Sequence, residues 1–597
     1  YPIARERYKQ IINTEGAADV QKIRAEIKTA DILIKEKRYS DARSLLVSIE
    51  KTSMGLNPPH EHFRNEAVDR LNMLDKIADG HNVSAISQQD FIGWISCPKE
   101  FLYVSTEGSD RNAGTKARPF RTFEKARDVI RSKKKENVFP KGGITVFIRG
   151  GTYYMDSPFT LTAEDSGTPG GPIVYRAYPG EKVRLIGGVF LSRFCPVTDT
   201  EVLNRIPQEA HTKVLQVDLK AAGITNYGKL YPRGYGSTYQ CDASPLWGQP
   251  YPSAAELFYK DKRMELARWP NEGWARTGDT ALPGLKLETY SYGVYNTAGK
   301  FRYIGNRPER WKGEDEIWMK GYWVHTYMQH HRLVKDIDTG TKIITLDAKP
   351  RPEVCKGFPY FAYNILGELD RPGEWYLDRK TGILYFWPPG DFKNNDIWLS
   401  TLAGSVVTTQ GASYTVFHDL LIEGSWEYGI HMTAGNYNLI SKSTVRNTGK
   451  AAILVEGGRY DSIVGCDIYG TGDGGIILEV GEENRKMSRG RLVYFSKDLE
   501  PVGHLVENCH IHHINQVGGG YGAGVYLGGC GQRMRNNLIH DNSYQAVHFR
   551  GNDHLIEYNE VYDVSHEPRD HGVFYINESS RSIAGYRGNV IRFNFVH

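Results

Sequence analysis

The chain has 597 residues, enough for three or four globular cores or for one long solenoid. Charged residues make up 24% and the net charge is only +4, which argues against a nucleic-acid or membrane surface as the partner. Aromatic residues reach 12%, with 37 Tyr and 11 Trp, and serve either ordinary β packing or stacking platforms for sugar rings; 63 Gly suit a turn-rich β protein.

Residues 1–95 read as a helical segment. Apolar residues recur at helical spacing over Ala17–Lys35, over Tyr39–Ile49 and around Ala67–Ile77, and Asn57-Pro58-Pro59 interrupts them. A hairpin or small bundle is expected, its simplest role being a cap on the open end of a solenoid. Residues 96–205 change texture. Leu102-Tyr-Val-Ser-Thr reads as a strand, a helix opens at a Thr122 cap, and Ile144–Tyr154 and Pro172–Ala177 are further strands. Residues 206–395 have hairpin signals at Lys260-Asp-Lys and Lys380-Thr-Gly, and are expected to be a β-sandwich or barrel inserted between early and late solenoid coils.

The stretch 396–597 repeats. Trp426–Met432, Gly449–Val455, Gly472–Leu478, Tyr521–Leu527, Ser543–Phe549 and Arg569–Tyr575 align, each ending apolar–variable–apolar after a Gly or Ala. A second mark runs through Asp419, Ser443, Cys466, Cys509, Asn537, Asn559 and Asn594; half the spacings are 22 to 24 residues, and those of 43, 28 and 35 imply inserted loops. Short strands with stacked Asn at such a period specify a right-handed parallel β-helix. The chain is therefore expected to be mainly β, with the inserted β domain and an N-terminal helical segment.

The seven cysteines, at 97, 195, 241, 355, 466, 509 and 530, show no CxxC and no zinc spacing. Cys466 and Cys509 share a column as stacked thiols or a disulfide, and stacked thiols are expected. No apolar run approaches the ~18 residues of a membrane span. The start at Tyr1 rather than Met fits a removed export signal and a secreted or periplasmic bacterial location. No cofactor or metal is expected, and a monomer is.

Several segments carry a family resemblance. They are Tyr103-Val-Ser-Thr-Glu-Gly-Ser-Asp with Gly114-Thr and Pro119-Phe-Arg-Thr, Arg149-Gly-Gly-Thr-Tyr-Tyr, Ala163-Glu-Asp-Ser-Gly-Thr, Leu266-Ala-Arg-Trp-Pro-Asn-Glu-Gly, Gly551–Glu560 and Gly588–His597. Together they resemble the carbohydrate-active β-helix proteins of the pectate-lyase-like superfamily, nearest to glycoside hydrolase family 141. The resemblance implies a glycosidase acting on a fucose- or xylose-containing plant or algal polysaccharide, with Asp570 matching the family's acid. The chain departs from the family's Asp-Asp-Ala-Gly-Ala and Gly-Arg-Asp stretches: Arg569 replaces the first Asp, and the Gly-Arg-Asp is absent. A second acidic pair of the family would follow His597, so the expectation is that further coils complete the enzyme and that this chain alone turns glycan over poorly.

Residues between the inward positions Ile430 and Met432, and their equivalents, are expected to point outward. One column holds Glu427, Lys450, Asp473, Gly522, Tyr544 and Asp570. A second, of Gly429, Ala452, Gly475, Gly524, Ala546 and Gly572, is either tight-turn geometry or a low floor for sugar rings. The third is His431, Leu454, Ile477, Tyr526, His548 and Phe574. The fourth is Thr433, Glu456, Glu479, Gly528, Arg550 and Ile576. Asp570, Glu567 and His571 are the catalytic candidates. Asp473, Glu479, Tyr526, Tyr544, His548, Arg550, Asp553 and Phe574 are the substrate-binding candidates, with Asp553 reading geometrically as a turn acid. Asp473 and Asp570, three coils or roughly 14 Å apart, are too distant to act as a pair. His512, His540 and His597 share a column with Tyr469 and Tyr562, which reads as a stacked row rather than a metal site. Two alternatives stay open: a uronate-cleaving lyase using Arg550, Tyr544 and the Glu456–Glu479 column, and a non-catalytic glycan-binding protein.

Overall fold

The computed structural model describes residues 9, 12, 19–54, 67, 71, 74, 100–234, 252–290, 293–327, 329–347, 353–393, 395–480, 485–488, 491–494, 501–519, 522–566, 571–576 and 588–597. The chain forms two compact units, 1–93 and 94–597. In the first, helices Asp19–Lys35 and Tyr39–Met54 pack through Ile23, Ile27, Ala30, Ala42, Leu46 and Ile49, joined by Ala67 and Leu74. These are the expected helical repeats; most of the third stretch lies outside the described residues.

The second unit is a parallel β-helix with three long sheets of ten, nine and eight strands. Each coil visits them in order, as in Thr415–His418, Leu421–Glu423 and Ile430–Thr433, before the next begins at Leu439. Residues at equivalent positions stack in register, Ile430 on Ile453 on Ile476 on Val525 on Val547, and these fill one continuous core. The helix Phe123–Lys135, capped by Thr122 accepting from the Lys125 N–H, adds Phe123, Ala126 and Ile130 to that core beside Tyr153 and Phe159. Cover over the first coils thus comes from within the second unit.

From Thr415 onward the corner between the first and second sheets has two residues, whereas five, 178–182, separate the earlier strands Ile173–Ala177 and Val183–Ile186. The first of the two is left-handed in each of these seven coils: Asp419, Lys442, Gly465, Asn508, Asn536, Tyr558 and Phe593 have φ of 58, 46, 65, 55, 56, 57 and 56°. Such a conformation costs non-glycine residues roughly 1–2 kcal/mol each, and the second corner residue offsets that cost. Cys466 and Cys509 donate S–H to the carbonyls of Ile440 and Ile463. Asn537, Asn559 and Asn594 donate N–H to the equivalent Val506, Met534 and Ile556. Asn537 and Asn559 also donate their backbone N–H to the next amide, at 3.0 and 2.9 Å. The expected ladder exists, and the buried thiols are members of it, both free. One mark is corrected: Leu420, not Asp419, occupies the ladder position, as its N–H donating to Ser443 shows.

A second inward ladder, absent from the sequence reading, starts each first-sheet strand. It runs Thr415, Asn438, Asp461, His504, Gln532, His554 and Asn589, with backbone N–H groups donating to Asn438, Asp461, His504, His554 and Asn589.

The inserted domain leaves the second sheet after Val183–Ile186 and returns at Val407–Gln410. It holds smaller, mainly antiparallel sheets with cores around Trp375 and Trp311, and both expected hairpins are present. Ile397–Ser400 pairs with both Gly188–Phe190 and Leu257–Tyr259, so the insert is wider than 206–395. Asp261, at its first hairpin tip, is pinned by Arg184 and Arg446, which also hold the buried Glu423.

Two stability predictions follow from the ladders. Asn559→Leu removes both the bond to Met534 and the acceptor for Asn537, and chemical denaturation should show a loss of roughly 1–3 kcal/mol. Burial holds the His418, His504 and His554 imidazoles at about 4, below the ordinary 6.5. Their contribution to stability is full above pH 6.5 and is lost as pH falls toward 4, because only the unfolded chain takes up the protons. His554→Gln, which copies Gln532 one coil earlier, should flatten the fall in melting temperature between pH 6.5 and 4.

Candidate functional site

Chain length varies at only some corners of the coil. The corner between sheets one and two keeps its two residues from Thr415 onward, whereas the 187–406 insert and the stretches 515–524 and 562–573 enter the third sheet, and 480–504 and 577–589 leave it. From Val183 onward every long excursion therefore borders the third sheet, and its outer face is where a site can be walled.

Two of the four expected columns face outward there as drawn. His431, Leu454, Ile477, Tyr526 and His548 are in register, and so are Thr433, Glu456 and Glu479. The Gly–Ala column is corrected. A Cβ on Gly429 would lie 2.3 Å from the Val445 side chain, one on Gly475 2.9 Å from Ile511, and one on Gly524 3.0 Å from Ile539. These positions face inward and are small because second-sheet core side chains fill the space; the sugar-floor reading is overturned. The last repeat also slips by one residue. Phe574 pairs with Val547 and packs on the core, so Tyr575, not Phe574, continues the wall beside His548, their rings 5.3 Å apart.

Outward from the coil does not mean open to solvent. Tyr428, Ala451, Leu454, Ile477 and Tyr526 form a separate buried apolar cluster on this face. Tyr544, His548 and Arg550 are buried as well. The inserted domain supplies part of the cover: the Tyr544 hydroxyl donates to the Tyr327 carbonyl, and Lys320 and His331 both reach the Val517 carbonyl at 3.1 Å. Asp473 is buried in an ion pair with Arg233 at 3.0 Å, and Arg233 also donates to the Gly449 carbonyl. That acid fastens the insert to the coils.

Glu456 and Glu479 are neighbours on adjacent strands, and both are buried. His431 Nε2 lies 3.3 Å from Glu456 Oε2 and 3.3 Å from Thr433 Oγ. The Glu479 carboxylate accepts from the Val480 N–H and lies across Gly528, where a Cβ would come within 2.3 Å of it. Gly528 thus leaves room for the acid to lie along the wall. The ring of Tyr428 is 5.4 Å from His431, and that of Tyr526 is 5.3 Å from His548. Burial beside Arg550 pushes the His548 imidazole well below its usual range, so it is neutral, with Nδ1 3.0 Å from the Gln545 side-chain oxygen.

Of the sequence candidates, Glu479, Tyr526, His548 and Arg550 therefore share one wall. Tyr544 and Asp473 stand at the other end of the third-sheet strands, with His571 5.1 Å from Tyr544, ring to ring. Asp553 is exposed in a left-handed turn, the geometric expectation for it. Asp570 and Glu567 lie outside the described residues. Glu456 and His431 stood in the aligned columns but were not singled out as an acid and its neighbour; the signal was an acid repeated at one position on consecutive coils.

The family model described as a right handed beta helix region matches residues 381–493. Uncharacterized protein YwoF of Bacillus subtilis (strain 168) is 42% identical over 88 residues, 15% of this chain and 16% of that protein. Pectate lyase PEL9 of Emericella nidulans is 38% identical over 86 residues, 14% of this chain and 18% of that one. The chain thus matches less than a fifth of the length of either relative. A solved structure named glycoside hydrolase superposes with a TM-score of 0.62 at 16% identity, covering 80% of this chain and 85% of that one. The likeness at that level is one of fold, and with the strand order and core described above it makes this chain a right-handed parallel β-helix protein.

Proposed function

We propose that this is a carbohydrate-active enzyme that hydrolyses glycosidic bonds in a complex, fucose- or xylose-containing polysaccharide. The observation that carries the reading is the in-register pair Glu456 and Glu479, buried on the face that the long excursions from Val183 onward border. Adjacent parallel strands stand ~4.8 Å apart, and a retaining glycosidase places its two carboxyls about 5–5.5 Å apart. That reaction uses one carboxyl protonated, to give the leaving oxygen its proton, and the other ionised, to attack the anomeric carbon. Tyr575, partly exposed on the same wall, offers a ring face for sugar, and His431 is placed to orient Glu456. The glycoside hydrolase and pectate lyase names among the similar proteins agree with a glycan substrate.

Arg550, two coils along from Glu479 in the same column, favours a second reading. A lyase would use such a cation at the uronate or as the base, and its products would carry an unsaturated sugar absorbing in the near ultraviolet.

The test is product analysis on fucose-, xylose- and uronate-containing glycans with three variants. Glu456→Gln and Glu479→Gln should each lower turnover by about 10²–10⁴-fold while the melting temperature holds. Asp570→Asn, at the acid the family resemblance points to, should leave most activity if the pair is the centre. Full activity in both Gln variants with loss in Asp570→Asn would move the centre three coils onward. Ultraviolet-absorbing products would select the lyase.

A further inference from the structure

The outer face of the second sheet carries a histidine cluster that the proposed chemistry does not use. A ring row runs across the coils: Tyr469 on His512 at 4.9 Å, His512 on His540 at 5.2 Å, His540 on Tyr562 at 4.6 Å and Tyr562 on His597 at 5.2 Å. The stacked row expected from the sequence is present. Beside it, Asp467 and His510 pair on adjacent strands, and His510 and His512 are two residues apart on one strand face.

Polar atoms converge at one point of this cluster. Asp467 Oδ1 is 3.1 Å from His510 Nδ1 and 3.3 Å from His512 Nε2, and all three lie within 4.8 Å of one another. A tetrahedral zinc site with bonds of about 2.0–2.1 Å has ligand–ligand edges of roughly 3.3–3.4 Å. The other nitrogens of both imidazoles are engaged. His510 Nε2 meets His540 Nε2 at 2.7 Å, His540 Nδ1 meets Asp541 at 2.5 Å, and His512 Nδ1 meets His513 Nδ1 at 2.8 Å.

Counting protons sharpens the point. The Asp541 carboxylate takes the His540 Nδ1 proton, which leaves His540 Nε2 a lone pair. That lone pair takes the His510 Nε2 proton. His510 Nδ1 is then a lone pair facing a carboxylate oxygen, an arrangement that calls for a cation between them. A proton on His540 Nε2, or a second one on His510, would answer that contact alone, whereas one metal ion answers all three atoms.

We propose that Asp467, His510 and His512 form a site for a divalent first-row transition cation of the zinc class. Two imidazoles and a carboxylate suit such ions, and the relay from His510 through His540 to Asp541 is the outer support that metal-bound histidines use. The half-exposed Asp467 and His510 leave an entry path and a fourth position for water. The 2.5 Å contact of His540 with Asp541 is too short for two ligands of one ion, so that neighbouring group is a support and not a second site. Bound there, the ion would tie the strand at Asp467–Tyr469 to the one at His510–Ile514, across the chain excursion between them.

The experiment titrates the untagged full chain with Co²⁺ and then Zn²⁺. One equivalent of Co²⁺ should give visible d–d absorption of tetrahedral strength, displaced by Zn²⁺, and one equivalent of Zn²⁺ should raise the melting temperature in a way that a chelator reverses. His512→Phe, which keeps a ring between Tyr469 and His540, and Asp467→Asn should each abolish the absorption and the shift while melting as the metal-free parent does. His513→Ala should keep both. Absence of binding, or binding that survives in His512→Phe and Asp467→Asn, would overturn the proposal.

Discussion

Parallel strands held in register at ~4.8 Å make every residue of one coil sit on its equivalent in the next. That single constraint organises the molecule. An inward position must be apolar in all coils, or polar in a way that the next coil satisfies. Both solutions appear. Ile430, Ile453, Ile476, Val525 and Val547 form an apolar stack, and at the corner Ser443, Cys466, Cys509, Asn537, Asn559 and Asn594 bond to the preceding coil. The left-handed residue before each of these is tolerated because the corner bonds are repeated, not because the sequence is glycine-rich there; only Gly465 among the seven is glycine.

The same constraint acts on the outside with the opposite effect. Like groups stack there too, and stacking two carboxylates is unfavourable unless something uses or separates them. Glu456 and Glu479 are the buried acids placed this way on the third sheet. On the second sheet, Glu423 and Arg446 stack as opposite charges, as Glu557 and Arg592 do on the first. The structure thus separates charges that hold coils together from a like-charged pair that does not, and the latter stands where the chain excursions gather.

Much of the solenoid was legible in the sequence because the register marks are short-range and repeated. The Asn537 and Asn559 positions, the inward Ile430 and Met432 faces, the two hairpins and the stacked ring row could be read from spacing alone. What failed did so for physical reasons. The Gly–Ala column was taken outward because alternation was assumed to continue past the strand start, but the chain bends at Gly429 and turns that position toward Val445. Phe574 was placed one residue early because the last excursion changes the count between Ser565 and Val573, and a slip of one reverses the face. Asn438, Asp461, His504 and His554 share a ladder that no single residue type marks, so nothing in the sequence drew them together. The covering of Tyr544 depends on Tyr327 of the insert, 217 residues from it along the chain, which no local pattern reports.

The corner between the first and second sheets shows how a fold with so many repeats keeps variation away from its register. From Thr415 onward its two residues supply one left-handed turn and one cross-coil bond, and a third residue would break both in that coil. From Val183 onward added chain is confined to the two corners flanking the third sheet, away from the corner ladder of Cys509, Asn537 and Asn559. The face that can evolve walls and the face that fixes register are different faces of the same coil. On this account the third sheet can acquire an insert held by Arg233 on Asp473 without disturbing Asn537 or Cys509, and the second sheet, in register from Asp467 through His510 to Leu538, is where a fixed geometry of ring nitrogens such as that of His510, His512 and His540 can be held from coil to coil.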